Sequence, residues 1–271
     1  MQSEVYKLSF PGMVHFGEGS AERTNFMLPA DSVFSALCIE AVGIGRIDDF
    51  TDAVQKDRIR ISDALPFIGD MYYIPCGDNL YPANTGSEKS FSEKNLGKRV
   101  IVKRTYIEEQ SVPFAVEGFR FCDKCGLYLL IRYEEQEDAN LMEELLYRLS
   151  LSGIGGQKKN GMGTFNLLHA KKDREYQNLI NRLSGDYKKW TSLSVCLPKE
   201  EEMEKAMKNS EYRIIKRSGF VEGKGVRKKD CFLFRSGSVF ENRFQGELLD
   251  VTNGNDHPVY RYAKPVFWGV E

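Results

Sequence analysis

The chain has 271 residues, 41% of them hydrophobic and 28% charged, with a formal net charge of −1 at pH 7. That length divides a core between two domains, and that composition describes a folded chain without a long disordered tail. The near-neutral sum counts against a free-standing nucleic-acid binder, because phosphate binding leaves a basic footprint.

Glu4 to Phe10 alternates as a strand. From Asp31 onward, Val33, Phe34, Leu37, Cys38, Ala41 and Val42 recur at helical spacing, with Asp31 as the expected N-cap. Met71 to Ile74 reads as a strand ending at Pro75, followed by a Gly-, Asn-, Ser- and Lys-rich excursion to about Gly97. Strands near Glu117 to Cys122 and Gly126 to Tyr133 are expected to pair as a hairpin around Asp123-Lys124. Leu141, Leu145 and Leu149 then mark one face of a helix running to about Ser152, and Met162 to Ala170 reads as a strand. This succession of strand, helix, strands, helix and strand is the split βαβ pattern of ferredoxin-like folds.

From Trp190 a second set begins: strand Ser192 to Leu197, helix Glu200 to Lys208, and strands near Tyr212 to Val221, Asp230 to Ser236 and Gln245 to Val251. The tail Pro258 to Val270 is again strand-like. The expected architecture is α+β, with two fused ferredoxin-like (RRM-like) domains. The first covers 1–187 and carries a hairpin insertion at 77–113; the second, a degenerate copy, covers 188–271. The sequence opens without a charged segment followed by an apolar run, and no apolar stretch reaches bilayer-spanning length, so a cytoplasmic location without membrane contact is expected.

The six cysteines do not read as a disulfide framework. Cys122-Asp-Lys-Cys125 has the spacing of half a zinc site, but no second pair supplies the other ligands. A turn is the simpler reading, and no metal or other cofactor is expected.

The distribution of charge says more than its sum. Residues 145–172 contain no Asp or Glu but carry Arg148, Lys158, Lys159, Lys171 and Lys172. Residues 94–107 are equally acid-free, with Lys94, Lys98, Arg99, Lys103 and Arg104. The acids gather at 134–144 and 200–204, as solvated helix faces or protein-docking surfaces.

Within the first basic stretch lies Gly153-Ile-Gly-Gly-Gln-Lys-Lys-Asn-Gly-Met-Gly163. Glycines between a helix and a strand let the backbone turn freely and approach another molecule closely. Exposed N–H groups there suit phosphates, with Lys158 and Lys159 as counter-charge. It is not a P-loop, which needs Gly-Lys-Ser/Thr leading into a helix. A helix C-cap at Gly153 followed by a tight packed turn accounts for the glycines equally well.

The order of the surrounding pieces resembles the RAMP superfamily of CRISPR proteins, and within it the fourth subunit of the Csm complex of type III-A systems. The matching segments are Phe10 to Gly17, Asp31 to Cys38, Ile61 to Phe67, the Gly153 to Phe165 loop, and His257 to Tyr262, which span nearly the whole chain. Where that family's loop often carries Arg-Ser, this chain has Lys158-Lys159-Asn160, which keeps the charge but not a bidentate guanidinium. The resemblance implies a non-catalytic subunit that holds the 5′ tag of the guide RNA (crRNA). It further implies docking to the large polymerase-like subunit, beside the backbone RAMP subunit. It makes the 77–113 insertion the counterpart of a thumb that wedges between bases, with Lys103, Arg104 and Tyr106 as contacts. The RNA-binding set so implied is His15, Ser32, Lys103, Arg104, Tyr106, Gly153, Gly155, Gly156, Gln157, Lys158, Lys159, Asn160, Gly161 and Gly163.

Two rival functions remain at this point. Some RAMP proteins are metal-independent ribonucleases using a histidine, and His15 would be that group here. It would need a second proton-transfer group beside it, which nothing in Met13 to Arg23 requires. The other rival is a scaffold subunit that touches no RNA. His169 and His257 read as hydrogen-bonded structural residues, and Asp31 as a cap rather than a metal ligand.

Overall fold

The computed structural model describes residues 1–17, 21–84, 91–104, 114–221, 225–254 and 257–270, with 103, 104 and 114 described by backbone alone. The chain is a mixed α/β protein built on antiparallel sheets. In chain order the first part comprises β1 (Gln2–Ser9), β2 (Phe16–Gly17), β3 (Thr24–Asn25), α1 (Ala30–Gly43), α2 (Ile47–Gln55), β4 (Ile59–Ile61), β5 (Leu65–Ile68), β6 (Met71–Cys76) and β7 (Asn79–Pro82). It continues through α3 (Glu93–Leu96), β8 (Gly97–Arg104), β9 (Phe114–Phe121), β10 (Cys125–Tyr133), α4 (Gln136–Ser152), β11 (Asn166–His169) and α5 (Arg174–Ile180). The second part comprises β12 (Trp190–Ser192), α6 (Glu200–Met207), β13 (Ile214–Arg217), β14 (Cys231–Phe234), β15 (Val239–Phe240), β16 (Glu247–Asp250), β17 (Tyr260–Ala263) and β18 (Phe267–Gly269).

The main sheet runs β11-β1-β10-β5-β6-β7, with β4 also paired to β10. Its central strand reads Cys-Gly-Leu-Tyr-Leu-Leu-Ile-Arg-Tyr and is buried at every position but Arg132. A strand covered on both faces needs such a continuous apolar run. On one face α1 and α4 insert Val33, Leu37, Leu141 and Leu145 against Leu127, Leu129 and Ile131. On the other, Val5, Leu65, Tyr128 and Leu130 meet α5 and the second part's Leu193, Val266 and Trp268. Each fully buried aliphatic side chain there contributes about 1.5–3 kcal/mol.

Directional bonds also join the two parts. The Tyr262 hydroxyl accepts from the Ile61 amide at 2.8 Å, and the Trp268 indole donates to Leu179 O at 2.9 Å. Thr191 Oγ1 donates to Pro75 O at 2.7 Å.

Two sequence expectations fail here. The strand ending at Phe121 pairs with β8 rather than with β10, while β10 pairs with β1, β4 and β5. Asp123-Lys124 is still a turn, with Lys124 at φ +59°, but it joins strands of different sheets. Asp31 does not cap α1: the N-cap position is Pro29, in extended conformation, and Asp31 lies within the first turn. The cap is long-range, because Asp63 Oδ1 accepts from the Ala30 amide at 2.7 Å. The excursion after Pro75 is also more regular than expected, since β6 continues through Pro75 to pair with β7.

Candidate nucleic-acid interface

α4 ends at Ser152, and Gly153, at φ +80°, turns the chain out of the helix. The glycine run then folds back on Met13–Phe16. The Ile154 amide donates to Gly163 O (2.9 Å), Gly156 to His15 O (2.8 Å) and Gly163 to Met13 O (3.0 Å). A Cβ on Gly155 would lie 2.7 Å from His15 O, at a φ of +96° that L side chains rarely adopt. Packing against the chain itself accounts for Gly155 and Gly163, and the amides of 154, 156, 160, 161 and 163 are engaged within the chain.

His15 belongs to the same packing. It is 6% exposed, and its Nδ1 donates to Glu117 O at 2.7 Å. Its Cδ2 faces Gly156, where a Cβ would come within 2.8 Å. The imidazole thus ties the loop to β9.

What the loop presents outward is a single short 3₁₀ turn, Lys158–Asn160, steadied by Asn160 Nδ2 donating to Gln157 Oε1 at 2.7 Å. Lys158 faces a cleft of about 1150 Å³ between the two parts of the chain. Gly153, Gly155 and Ser32 line the same cleft. Lys103 and Arg104 stand at the far end of β8, opposite Ala115 and Phe114, and Tyr106 lies outside the described residues.

The opposite wall comes from β13 and the segments flanking β14 and carries Lys216, Arg217, Phe220, Arg227 and Arg235. Arg217 reaches across to Asp31, with Nε to Oδ2 and Nη2 to Oδ1 both at 2.8 Å, and its Nη2 also donates to Ser32 Oγ at 2.9 Å. Arg261 Nη1 meets Asp31 Oδ2 at 2.5 Å. Asp230 pairs with Lys216 at 2.8 Å and with Arg227 at 3.0 Å. The side chains of Lys158 and Arg235 line the same cleft and make no hydrogen bond or ion pair to another described residue. Phe220 is 66% exposed at the cleft edge.

Asp63 forms the floor. Its Oδ1 accepts from the Ala30 amide and, at 3.0 Å, from the Val195 amide, so one carboxylate holds both parts. Burial pushes its pKa up to about 6, against the hydrogen bonds from Ser236, Ala30 and Val195.

Arg217 and Arg235 were not among the residues expected from sequence. A signal for this wall was present: residues 212–229 hold seven Lys or Arg and a single acid, Glu222. Cys122 is exposed and Cys125 buried, and no group of metal-ligating side chains occurs among the described residues. His169 Nε2 lies 3.1 Å from Glu143, and His257 Nδ1 donates to Pro258 O at 3.1 Å. No helix among the described residues is long and apolar enough to cross a membrane.

These features define a two-part α/β protein with a cationic cleft between its parts, in which Lys158 and Arg235 have no carboxylate partner among the described residues. Residues 185–270 match the family described as the CRISPR Csm4 C-terminal domain. The CRISPR system Cms protein Csm4 of Mycobacterium tuberculosis is 30% identical over 303 aligned positions, covering 98% of this chain and 97% of the relative. The chain belongs to the Csm4 family of CRISPR proteins, as the resemblance implied. Its fold matches a chain of the Csm3–Csm4 subcomplex of the type III-A CRISPR-Cas interference complex, with TM-score 0.71, 17% identity and 99% of each chain covered. A chain of the Csm1–Csm4 cassette bound to AMPPNP matches at TM-score 0.61, with 18% identity over 100% of this chain and 98% of the other.

Proposed function

We propose that this chain is a non-catalytic guide-RNA-binding subunit of a type III-A CRISPR interference complex, holding the 5′ tag in the cleft between its two parts. It docks a large Csm1-type subunit and a Csm3-type backbone subunit, the partners that the similar subcomplexes contain. The observation that carries the RNA reading is the pair Lys158 and Arg235. Both face the cleft, one from each part, and neither has a carboxylate partner among the described residues, although the chain's net charge is −1. Phe220 beside them offers a stacking face, which suits single-stranded RNA.

The order β11-β1-β10-β4/β5, with α1 and α4 on one face, supports a ferredoxin-like reading of residues 1–187. Residues 188–271 form the second, degenerate domain in this reading, and the 77–113 insertion, which includes β8, is the thumb, with Lys103, Arg104 and Tyr106 as its RNA contacts. Gln157, Lys158, Lys159 and Asn160 contact phosphates through side chains, while His15, Gly153, Gly155, Gly156, Gly161 and Gly163 shape the loop. The burial of His15 and its bond to Glu117 O support a structural role over general acid-base work.

The test is tag-bearing single-stranded RNA titrated at several salt concentrations against the full chain and the Lys158→Ala/Arg235→Ala variant. Loss of two phosphate contacts lowers the log-log salt slope by about 1.4. An unchanged slope favours a scaffold that touches no RNA. Cleavage of the RNA by wild type, abolished in His15→Ala, would favour the ribonuclease instead.

A further inference from the structure

Acids of α2 and of the start of α4 surround a second hollow, of about 600 Å³, separate from the cleft. Asp48, Asp49, Asp52, Glu135, Glu137 and Asp138 line it, against only Arg46 and Arg58. Both arginines are engaged. Arg46 pairs with Asp49 at 2.8 Å. The Glu134 amide donates to Arg58 O at 3.0 Å, which sets Arg58 beside the start of α4. The Arg58 guanidinium then lies 3.4 Å from Asp138, 3.8 Å from Glu135 and 4.0 Å from Asp52.

Acids in the first turn of a helix complement its dipole, which accounts for Asp48, Asp49 and Glu137 one by one. It does not account for Asp138. That residue is 4% exposed, and its Oδ2 is enclosed with no hydrogen-bond partner. Burial raises its pKa, against the charge of Arg58 and the Glu135 amide. A buried carboxylate oxygen left unbonded is unfavourable. The χ2 torsion of Asp is soft, so turning that oxygen toward the hollow costs little. Asp48 and Glu137, both exposed, make no side-chain hydrogen bond or ion pair to another described residue.

Such a surplus of negative charge repels RNA. The hollow is also remote from the cleft: Asp138 lies in the first turn of α4, and the cleft-lining Gly153 follows its last, about 22 Å along the helix. These carboxylates do not group as metal ligands. What fits is a cation carrying its own directed donors, a guanidinium or an ammonium on a polypeptide.

We propose that this hollow docks a basic segment of a neighbouring protein subunit, one arginine or lysine bonding Asp138 and others lying over Asp48 and Glu137. The site stands independently of the RNA cleft, while its occupant's membership of the same complex rests on the subunit docking proposed above.

Anisotropy of a fluorescent penta-arginine peptide titrated with the full chain tests the site, and purification of the tagged complex from its native host tests the occupant. Asp138→Asn weakens peptide binding by about tenfold or more. The exposed pair Asp48→Asn/Glu137→Gln leaves the melting point unchanged and weakens the peptide by about two- to thirtyfold. Glu200→Gln/Glu204→Gln, on α6, does not weaken it. In the complex, Asp48→Lys/Glu137→Lys sheds a protein subunit. The RNA salt slope is the same in wild type and Asp48→Asn/Glu137→Gln, so failure of the cleft and failure of the hollow read out separately. Equal peptide affinity in wild type and both hollow variants overturns the site, as does an equal loss in the α6 variant. Magnesium displacing the peptide at matched ionic strength overturns the side-chain ligand in favour of a metal ion. A dimer in sedimentation that Asp48→Asn/Glu137→Gln dissociates overturns the occupant in favour of a second copy. A full complement of subunits in the charge-reversed complex overturns a subunit as the occupant.

Discussion

Replacing Asp31 by Ala separates two accounts of that residue by magnitude. A simple N-cap contributes about 1 kcal/mol. In the structure the Asp31 side chain is fully buried and faces Arg217 and Arg261, whose side chains are 25% and 8% exposed. Removing one member of a buried ionic group strands the charges left behind, at a cost of about 3–5 kcal/mol. For a protein of this size each kcal/mol moves the melting point by roughly 2–4 °C, so a loss near 4 kcal/mol lowers Tm by about 8–16 °C. Urea unfolding gives the free energy and calorimetry the temperature. Asp31→Asn, which keeps one acceptor oxygen, falls between the two. The combined Asp31→Leu/Arg217→Met/Arg261→Met variant recovers most of the loss, because no charge is then stranded. A loss below 1 kcal/mol in Asp31→Ala would refute the buried ionic latch.

Asp63 gives the stability curve a pH-dependent component. Its folded-state pKa is about 6, above the ordinary 3.8, so between those values the folded chain keeps a proton the unfolded chain has released. Stability from this group therefore falls as pH rises through that window, by about 3 kcal/mol in all. The difference between wild type and Asp63→Asn in urea unfolding at pH 4 and pH 7 measures it; a pH-independent difference contradicts the shift. Gly155→Ala places a Cβ against His15 O and Phe16 at a φ of +96°. It is expected to destabilise the loop by about 1–3 kcal/mol and to weaken RNA binding, both absent if the loop makes no close approach. Calorimetry and RNA titration check the two.

Helices α1, α4 and α6 were legible because their apolar spacing or acidic first turn is a local property of the sequence. Strand partners were not. β9 chose β8, whose Lys98, Arg99, Lys103 and Arg104 mask its alternation, over β10, which follows it directly. The roles of Asp31 and Asp63 were equally hidden. Asp31 meets Arg217 and Arg261 at sequence separations of 186 and 230, and Asp63 meets Val195 at 132. No local pattern encodes such pairings. The glycine run showed where a close approach occurs, but not that the chain's own Met13–Phe16 makes one of the approaches.

The near-neutral net charge, which first counted against nucleic-acid binding, is consistent with the cleft once each cation is followed to its partner. Arg217 is paired with Asp31, while Lys216 and Arg227 share Asp230. Arg261 lies behind Arg217 on the same Asp31. These pairs build the walls and hold the two parts in register. Lys158 and Arg235 remain on opposite walls with unscreened charge toward the cleft. A field so confined attracts a phosphate backbone locally without making the whole chain basic. The acids that balance it are concentrated elsewhere, on exposed positions of α6 such as Glu200 and Glu204. In the proposed function, RNA holding by a shared subunit needs only a few cations left unpaired between its parts, and not an excess of them over the surface.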